Sequence, residues 1–331
     1  MERFALAAAV VLGFALTAAL CSLFVPLRRV LERREQQQQP VQSEQPRPAP
    51  LRAPLWGGLC AAAGTVAAVG VGWLAACVGQ PELLGSEGRL MTRLLTALAG
   101  SLAFGAVGLA EDLARMRSPA ALGLRRDVRL LLEALAAAFV LLLLRAAGCL
   151  PRGLGVPGAG YVLLGSAVPF LWAVLMVTLA ECARIAERDE GTVCGAAFAA
   201  MLALMMVEAG LGVPGLAVLP GALAGALVAL GLWAFPPAKL GAGCCGSLLA
   251  AGAIGCIPLS LDMTSLTVPL ALPFWAAGGL LAAQLLCAKR TGKPLRCWVK
   301  KHKMSPETVF LCSFALSAVG YVLALALLRW C

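Results

Sequence analysis

The amino-acid sequence predicts an all-α, polytopic membrane protein, and three observations carry that prediction. Of 331 residues, 60% are hydrophobic and only 13% are charged, against about 25% charged in a soluble domain. Mean hydropathy is +0.87. The apolar residues are gathered into runs of membrane-crossing length, about 20 residues each, with short polar gaps between them. These features exclude a soluble enzyme, a secreted scaffold and a nucleic-acid-binding module. The formal net charge of +10 needs no polyanion partner, because the basic residues sit in the gaps, where they set topology and meet anionic lipid.

Ten apolar runs fall at about 4–26, 55–77, 91–110, 130–148, 164–180, 192–210, 214–234, 247–263, 265–287 and 309–329, each read as a transmembrane helix. The first is expected to be a retained helix rather than a signal peptide, since no small-residue cleavage site with a polar mature sequence follows it. An even number of crossings puts both termini on one side. Twenty-one of the 27 Lys and Arg residues lie in the connections 27–54, 111–129, 181–191, 235–246 and 288–308, which places those connections in the cytoplasm and both termini outside. The first connection carries Gln36 to Gln39 and then Pro40, Pro46, Pro48 and Pro50. Residues 27–54 are therefore expected to be a flexible loop within a single transmembrane domain spanning 1–331.

The acidic residues Glu111, Asp112, Asp127, Glu181, Glu187, Asp189 and Glu190 gather at the cytoplasmic span ends, among the arginines. Polar chemistry is expected there, with solvated loop charges as the plainer alternative. Glu133 differs, because it lies inside an apolar run, where a carboxylate costs a few kcal/mol unless paired; Arg129, one turn earlier, is an available partner. A transporter would be expected to place ionisable residues or broken helices near the midplane, and on the sequence only Glu133 does so. Most of the 13 cysteines lie within apolar runs, where thiols pack as small hydrophobes. Cys77 and Cys149 fall near outer span ends, where a disulfide is conceivable. Cys182, Cys194, Cys244, Cys245 and Cys297 could approach one another and His302 on the inner face, although adjacent Cys244 and Cys245 lack the two-residue gap of common zinc pairs. Gly221 and Gly225 form a small-xxx-small pair suited to helix packing or to a homodimer.

Several short stretches carry a resemblance. Ala53, Pro54, Leu55, Trp56, Gly57, Gly58 precede the second span; Glu111, Asp112, Leu113, Ala114, Arg115 follow the third, with Gly123, Leu124 and Arg129 downstream. Glu181, Cys182, Ala183, Arg184, Ile185, Ala186, Glu187, Arg188, Asp189, Glu190, Gly191 follow the fifth, and Pro237, Ala238, Lys239, Leu240, Gly241, Ala242, Gly243, Cys244, Cys245, Gly246, Ser247, Leu248 lead into the eighth. In order and spacing the chain resembles the phospho-N-acetylmuramoyl-pentapeptide transferases and their relatives, which move a sugar phosphate from a uridine nucleotide onto polyprenyl phosphate. Their corresponding motifs read Thr-Pro-Thr-Met-Gly-Gly, Asp-Asp-x-x-Lys, Asn-Ala-x-Asn-x-x-Asp-Gly-x-Asp-Gly and Pro-Ala-x-x-x-x-Gly-Asp-x-Gly-Ser-Leu. The family's last loop carries a histidine cluster before Gly-Trp-Ser-Glu; here Arg296, Cys297, Trp298 and Lys303, Met304, Ser305, Pro306, Glu307 stand there, and His302 falls elsewhere.

The resemblance implies catalytic positions at Glu111, Asp112, Glu187, Glu190 and Cys244. It implies substrate contacts from Arg115, Arg129, Glu181, Arg184, Gly243, Gly246 and Ser247, and Mg²⁺ on Asp112 and Glu187 in an active form. It further implies a plasma-membrane protein of cell-wall (peptidoglycan) or glycan precursor synthesis, working at the cytoplasmic face, with membrane lipid, polyprenyl phosphate and a UDP-sugar as partners and a homodimer as a further option. The framework glycines and prolines persist while the chemical residues do not. Mg²⁺ is a hard ion that takes oxygen ligands, so Cys244 is a poor substitute for aspartate, and Arg184 sets a cation where the family has a neutral amide. Two expectations follow: a catalytically degenerate, binding or regulatory homologue without a cofactor, or a divergent Mg²⁺-dependent transferase built on Glu111, Asp112, Glu187, Asp189 and Glu190.

Thiol labelling tests the topology. A membrane-impermeant reagent added outside intact cells should modify Cys331 and spare Cys297; the reverse pattern would invert every loop assignment.

Overall fold

The computed structural model describes residues 2–38, 56–79, 88–117, 123–151, 153–156, 160–163, 165–187, 191–211, 215–235, 239–291 and 306–330. Among the described residues there are ten long helices: α1 (Glu2–Gln38), α2 (Gly57–Gly79), α3 (Gly88–Arg117), α4 (Arg126–Ala146), α5 (Ala167–Ala186), α6 (Thr192–Gly210), α7 (Val218–Ala234), α8 (Gly243–Ser260), α9 (Leu272–Thr291) and α10 (Pro306–Trp330). Each falls on one of the ten apolar runs. Seven of them, α1, α2, α3, α5, α6, α8 and α10, are long and apolar enough to cross a membrane. The fold is thus that of an all-α membrane protein.

Two features depart from the sequence expectation. Helix α1 continues to Gln38, into the stretch expected to be loop, because its Leu, Glu, Arg and Gln residues are good helix formers; residues 39–55 lie outside those described. Between α4 and α5 the chain forms an antiparallel hairpin, β1 (Gly153–Val156) and β2 (Gly160–Leu163), in register Gly153 to Leu163. A Gly-rich stretch with interspersed Val, Tyr and Leu is a fair hairpin signal, but it falls between the apolar runs 130–148 and 164–180 and reads there as a plain connection. The Tyr161 hydroxyl donates to the Asp262 carboxylate at 3.1 Å, so the hairpin is tied to the turn that ends α8.

Helix α8 is the axis of the bundle. Every one of its residues is buried, against α2, α3, α5 and α6, and its most extensive partner is α3. Its sequence explains this, since small residues let backbones approach where the lipid gives no hydrophobic drive for association. A Cβ on Gly58 of α2 would lie 2.6 Å from the Ala242 carbonyl oxygen, and one on Gly108 of α3 would lie 2.5 Å from the Cys244 carbonyl carbon. Further along, Trp172 of α5 donates its indole N–H to the Gly255 carbonyl at 3.4 Å. Helices α1, α2, α6 and α7 pack beside this axis, and α10 lies on α6. Gly221 and Gly225 are occupied within the chain: a Cβ on Gly221 would meet Leu6 and Val10 at 3.3 Å, and one on Gly225 would collide with the α1 backbone at Val10 and Phe14.

Gly108→Val should drive side-chain atoms into the α8 backbone and lower stability by about 1–3 kcal/mol or more, read as a fall in the thermal midpoint of the purified protein. Gly70→Ala, on an exposed part of α2 where nothing lies within 4 Å of an added Cβ, should leave it unchanged or raise it by up to about 1 kcal/mol.

Candidate functional site

The site forms at one end of the bundle, where α3, α5 and α8 meet the start of α4. Helix α8 begins at Gly243, whose φ is +66°, a left-handed conformation that glycine adopts without steric cost. This turn aims the first free N–H groups of α8 at α3. There the Asp112 carboxylate accepts the Cys244 N–H on Oδ1 at 3.0 Å and the Cys245 N–H on Oδ2 at 2.8 Å. An N-cap ordinarily comes from the residue just before its helix; here it comes from a helix 132 residues away in sequence. Asp112 is 1% exposed, and its carboxylate sits against the positive end of the α8 dipole. The fixed spacing of the two motifs therefore has a structural cause as well as a chemical one.

Around Asp112 lies a network of carboxylates and guanidinium groups. Arg115 binds Glu111 Oε1 at 2.8 Å and comes within 3.9 Å of Asp112 and 3.8 Å of Glu187. Arg129, at the start of α4, binds Glu181 Oε1 through Nε at 2.8 Å and Glu111 Oε1 through Nη1 at 3.5 Å. Arg184 binds the other Glu181 oxygen. Gly123, with φ +69°, precedes α4 and lies against Arg115: an added Cβ would come 3.1 Å from Arg115 Cγ. By contrast, the Arg125–Asp127 pair at 3.9 Å is open to solvent on both sides and contributes little.

The sequence-derived positions Glu111, Asp112, Arg115, Arg129, Glu181, Arg184, Glu187 and Cys244 are brought together. Gly243 and Gly246 serve the backbone: Gly246 lies against Gly58 of α2, with an added Cβ 3.2 Å from the Gly58 Cα. The buried Ser247 hydroxyl donates to the Cys244 carbonyl at 3.1 Å. Arg188, Asp189 and Glu190, Pro237 and Ala238, and the last-loop residues Arg296, Cys297, Trp298 and His302 lie outside the described residues.

These groups, as placed, do not fit Mg²⁺. A hard dication takes several carboxylate oxygens that are otherwise free, yet both Asp112 oxygens accept backbone N–H groups, both Glu181 oxygens and Glu111 Oε1 bind arginines, of these oxygens only Glu111 Oε2 is left without a partner, and position 244 offers a thiol at 0% exposure. Among the described residues no three His, Cys, Asp or Glu side chains are grouped to hold a metal ion. That covers Cys182, Cys194, Cys244 and Cys245 of the inner-face cysteines: Cys194 packs instead with Cys21 and Cys60 in a separate apolar cluster. Cys77 and Cys149 are both free thiols.

Two buried carboxylates stand outside the site read from the motifs. Glu133 on α4 is fully buried with neither oxygen hydrogen-bonded, and Glu208 on α6 is 1% exposed with Oε2 unpartnered. The sequence signal for Glu133 is its place one turn after Arg129. Glu208 sits two residues from the end of an apolar run, where it reads as a span-end charge, and its burial comes only from tertiary packing.

The glycosyl transferase family 4 model matches residues 94–262, from α3 through the turn after α8, and so takes in Glu111, Asp112, Glu181, Glu187 and Cys244. No curated protein matches the chain at a significant level. With about half its length matched, the chain belongs to glycosyl transferase family 4, the family of phospho-N-acetylmuramoyl-pentapeptide and polyprenyl-phosphate sugar-1-phosphate transferases.

Asp112→Ala should leave two N–H groups of α8 unsatisfied and remove a charge-assisted cap, at a cost of about 2 kcal/mol. Asp112→Asn, which keeps one acceptor oxygen, should cost less. Thermal midpoints of the two variants in the same detergent check the order.

Proposed function

We propose that the chain is a catalytically degenerate member of its family: a multi-pass protein of the plasma membrane that keeps the transferase scaffold and acts as a binding or regulatory homologue in cell-wall or glycan precursor synthesis. Its ten helices cross the membrane with both termini outside, and its polar cluster faces the cytoplasm. The ligands best suited to that cluster are those of the family, polyprenyl phosphate and a UDP-sugar, with anionic lipid around the basic loops.

The single observation that supports this reading most is the engagement of Asp112. In an active transferase the lipid phosphate attacks the sugar pyrophosphate, uridine monophosphate leaves, and a metal ion offsets the charge that builds up. Here the aspartate that should share that ion caps α8 with both of its oxygens. Its expected carboxylate partner at 244 is a buried cysteine, and the neighbouring acids are neutralised by Arg115, Arg129 and Arg184. Guanidinium groups supply positive charge but no vacant coordination position. The cluster thus lacks the open coordination position that driving the transfer would need.

The purified chain, in lipid with Mg²⁺, should release no uridine monophosphate from UDP-sugars in the presence of polyprenyl phosphate. Cys244→Asp should not restore turnover, because it sets a second buried carboxylate against Asp112 and leaves Arg184 and the last loop unchanged. Wild-type turnover of about 1 s⁻¹ or more, abolished by Asp112→Asn, would instead establish the alternative, a divergent but active Mg²⁺-dependent transferase.

A further inference from the structure

Helices α1 and α2 run antiparallel in a constant register, and that register sets two thiols opposite each other. A Cβ added to Gly72 would lie 2.9 Å from Ala9 Cβ, and one added to Gly64 would lie 3.3 Å from Thr17 Cα. Moving from Ala9 to Thr17 along α1 therefore matches moving back from Gly72 to Gly64 along α2. One further turn, from Thr17 to Cys21 and from Gly64 to Cys60, keeps to the same helix faces and brings Cys21 opposite Cys60. The two thiols share a hydrogen bond, and neither is in a disulfide. Beyond them Phe24 stacks on Trp56 with ring centroids 5.9 Å apart, so the pairing continues past the cysteines.

The approach of the two helices suits a covalent link. A disulfide joins Cβ atoms about 4 Å apart, which closely packed helices offer at facing positions, and glycine at 64 lets the α2 backbone touch that of α1. Packing alone does not call for the pairing, because a thiol packs as a small hydrophobe whatever stands opposite. Cys194, from α6, lies in the same apolar cluster, but the main neighbours of α1 are α2 and α7. The surroundings also select the oxidant. Cys21 is 0% and Cys60 is 1% exposed, and both lie in helices long and apolar enough to cross a membrane. A charged aqueous oxidant is kept out. An apolar one dissolved in lipid arrives beside α1, whose Leu23, close to Cys21, faces outward.

We propose that Cys21 and Cys60 are a redox pair, closed to a disulfide by a lipid-soluble two-electron oxidant of the quinone class. Two S–H bonds break and one S–S bond forms, while the two electrons and two protons reduce the quinone to its hydroquinone. A dithiol reductant reverses the step by exchange. The bond staples α1 to the first turn of α2, where the Gly57 N–H donates to the Gly241 carbonyl at 3.2 Å and Gly58 lies against the start of α8. Oxidation thus stiffens the support of the α8 N-terminus. The inference does not depend on whether any transferase chemistry survives.

The test uses the full chain in lipid nanodiscs, treated with duroquinone, a fully substituted benzoquinone that does not readily add thiols. After denaturation, free thiols are alkylated with N-ethylmaleimide and the sites are mapped by mass spectrometry. Cys21 and Cys60 should both escape alkylation, and digestion should yield their two peptides joined, with the loss of two hydrogens. Dithiothreitol should separate them. Cys194→Ala should behave as wild type, and in Cys60→Ala the Cys21 thiol should stay open to alkylation. Full alkylation of Cys21 and Cys60 in treated wild type, or a bond from either one to another cysteine, would overturn the proposal. A second measurement reads stability. The wild-type thermal midpoint should rise on oxidation and return on reduction, and that of Cys60→Ala should not respond. A bonded wild type with an unmoved midpoint would refute the staple. The peptide map and the wild-type midpoint need no variant, so they decide the matter even where a substituted chain fails to fold.

Discussion

The capping of α8 by Asp112 is the constraint on which the rest of the structure depends. A helix with every residue buried cannot expose its terminal N–H groups to water, so its first turn needs an acceptor supplied by the protein. Asp112 supplies two oxygens from α3, and this fixes where α3 must end and how it is rotated. Gly108, one turn earlier, must lack a side chain for α3 to come that close, and Gly58 must lack one for α2 to do the same on another side. The arginines follow from the same requirement. Once Asp112 is buried, Glu111 beside it is carried into the interior, and Arg115 and Arg129 converge on Glu111.

This arrangement separates two properties that the family motifs combine. A carboxylate at position 112 can hold the bundle together and can also serve chemistry, and sequence spacing reports both without distinguishing them. The arginine network has the same double character. It neutralises acids that a metal would otherwise neutralise, and it does so with groups fixed by the chain.

Much of the fold was legible because lipid imposes a simple code: the ten apolar runs fall on α1 to α10, and seven of those helices are long and apolar enough to cross a membrane. The boundaries were less legible. Helix α1 runs on to Gln38 because helix propensity persists after hydropathy ends, and the 153–163 hairpin lies in the gap between the runs 130–148 and 164–180, where hydropathy assigns no element. At the site, motif spacing led to Glu111, Asp112, Arg115, Arg129, Glu181, Arg184 and Glu187, since residues at span ends are held in a fixed frame. It could not reveal that Asp112 is a cap or that Glu133 lacks a donor. Both depend on contacts between helices distant in sequence, and hydropathy carries no information about which carboxylate an arginine will choose.

The complete enclosure of α8 also has a consequence for how the molecule is made. Synthesis runs from the N-terminus, so α1 to α7 emerge first, and α2, α3, α5 and α6 must leave a slot among them for a helix that does not yet exist. Until that helix arrives, the Asp112 carboxylate faces the open slot with no N–H groups to bind. Pairing α3 with α8 closes a loop of more than a hundred residues, a separation that makes such contacts slow to form. The seating of α8 satisfies that carboxylate and closes the bundle in one step.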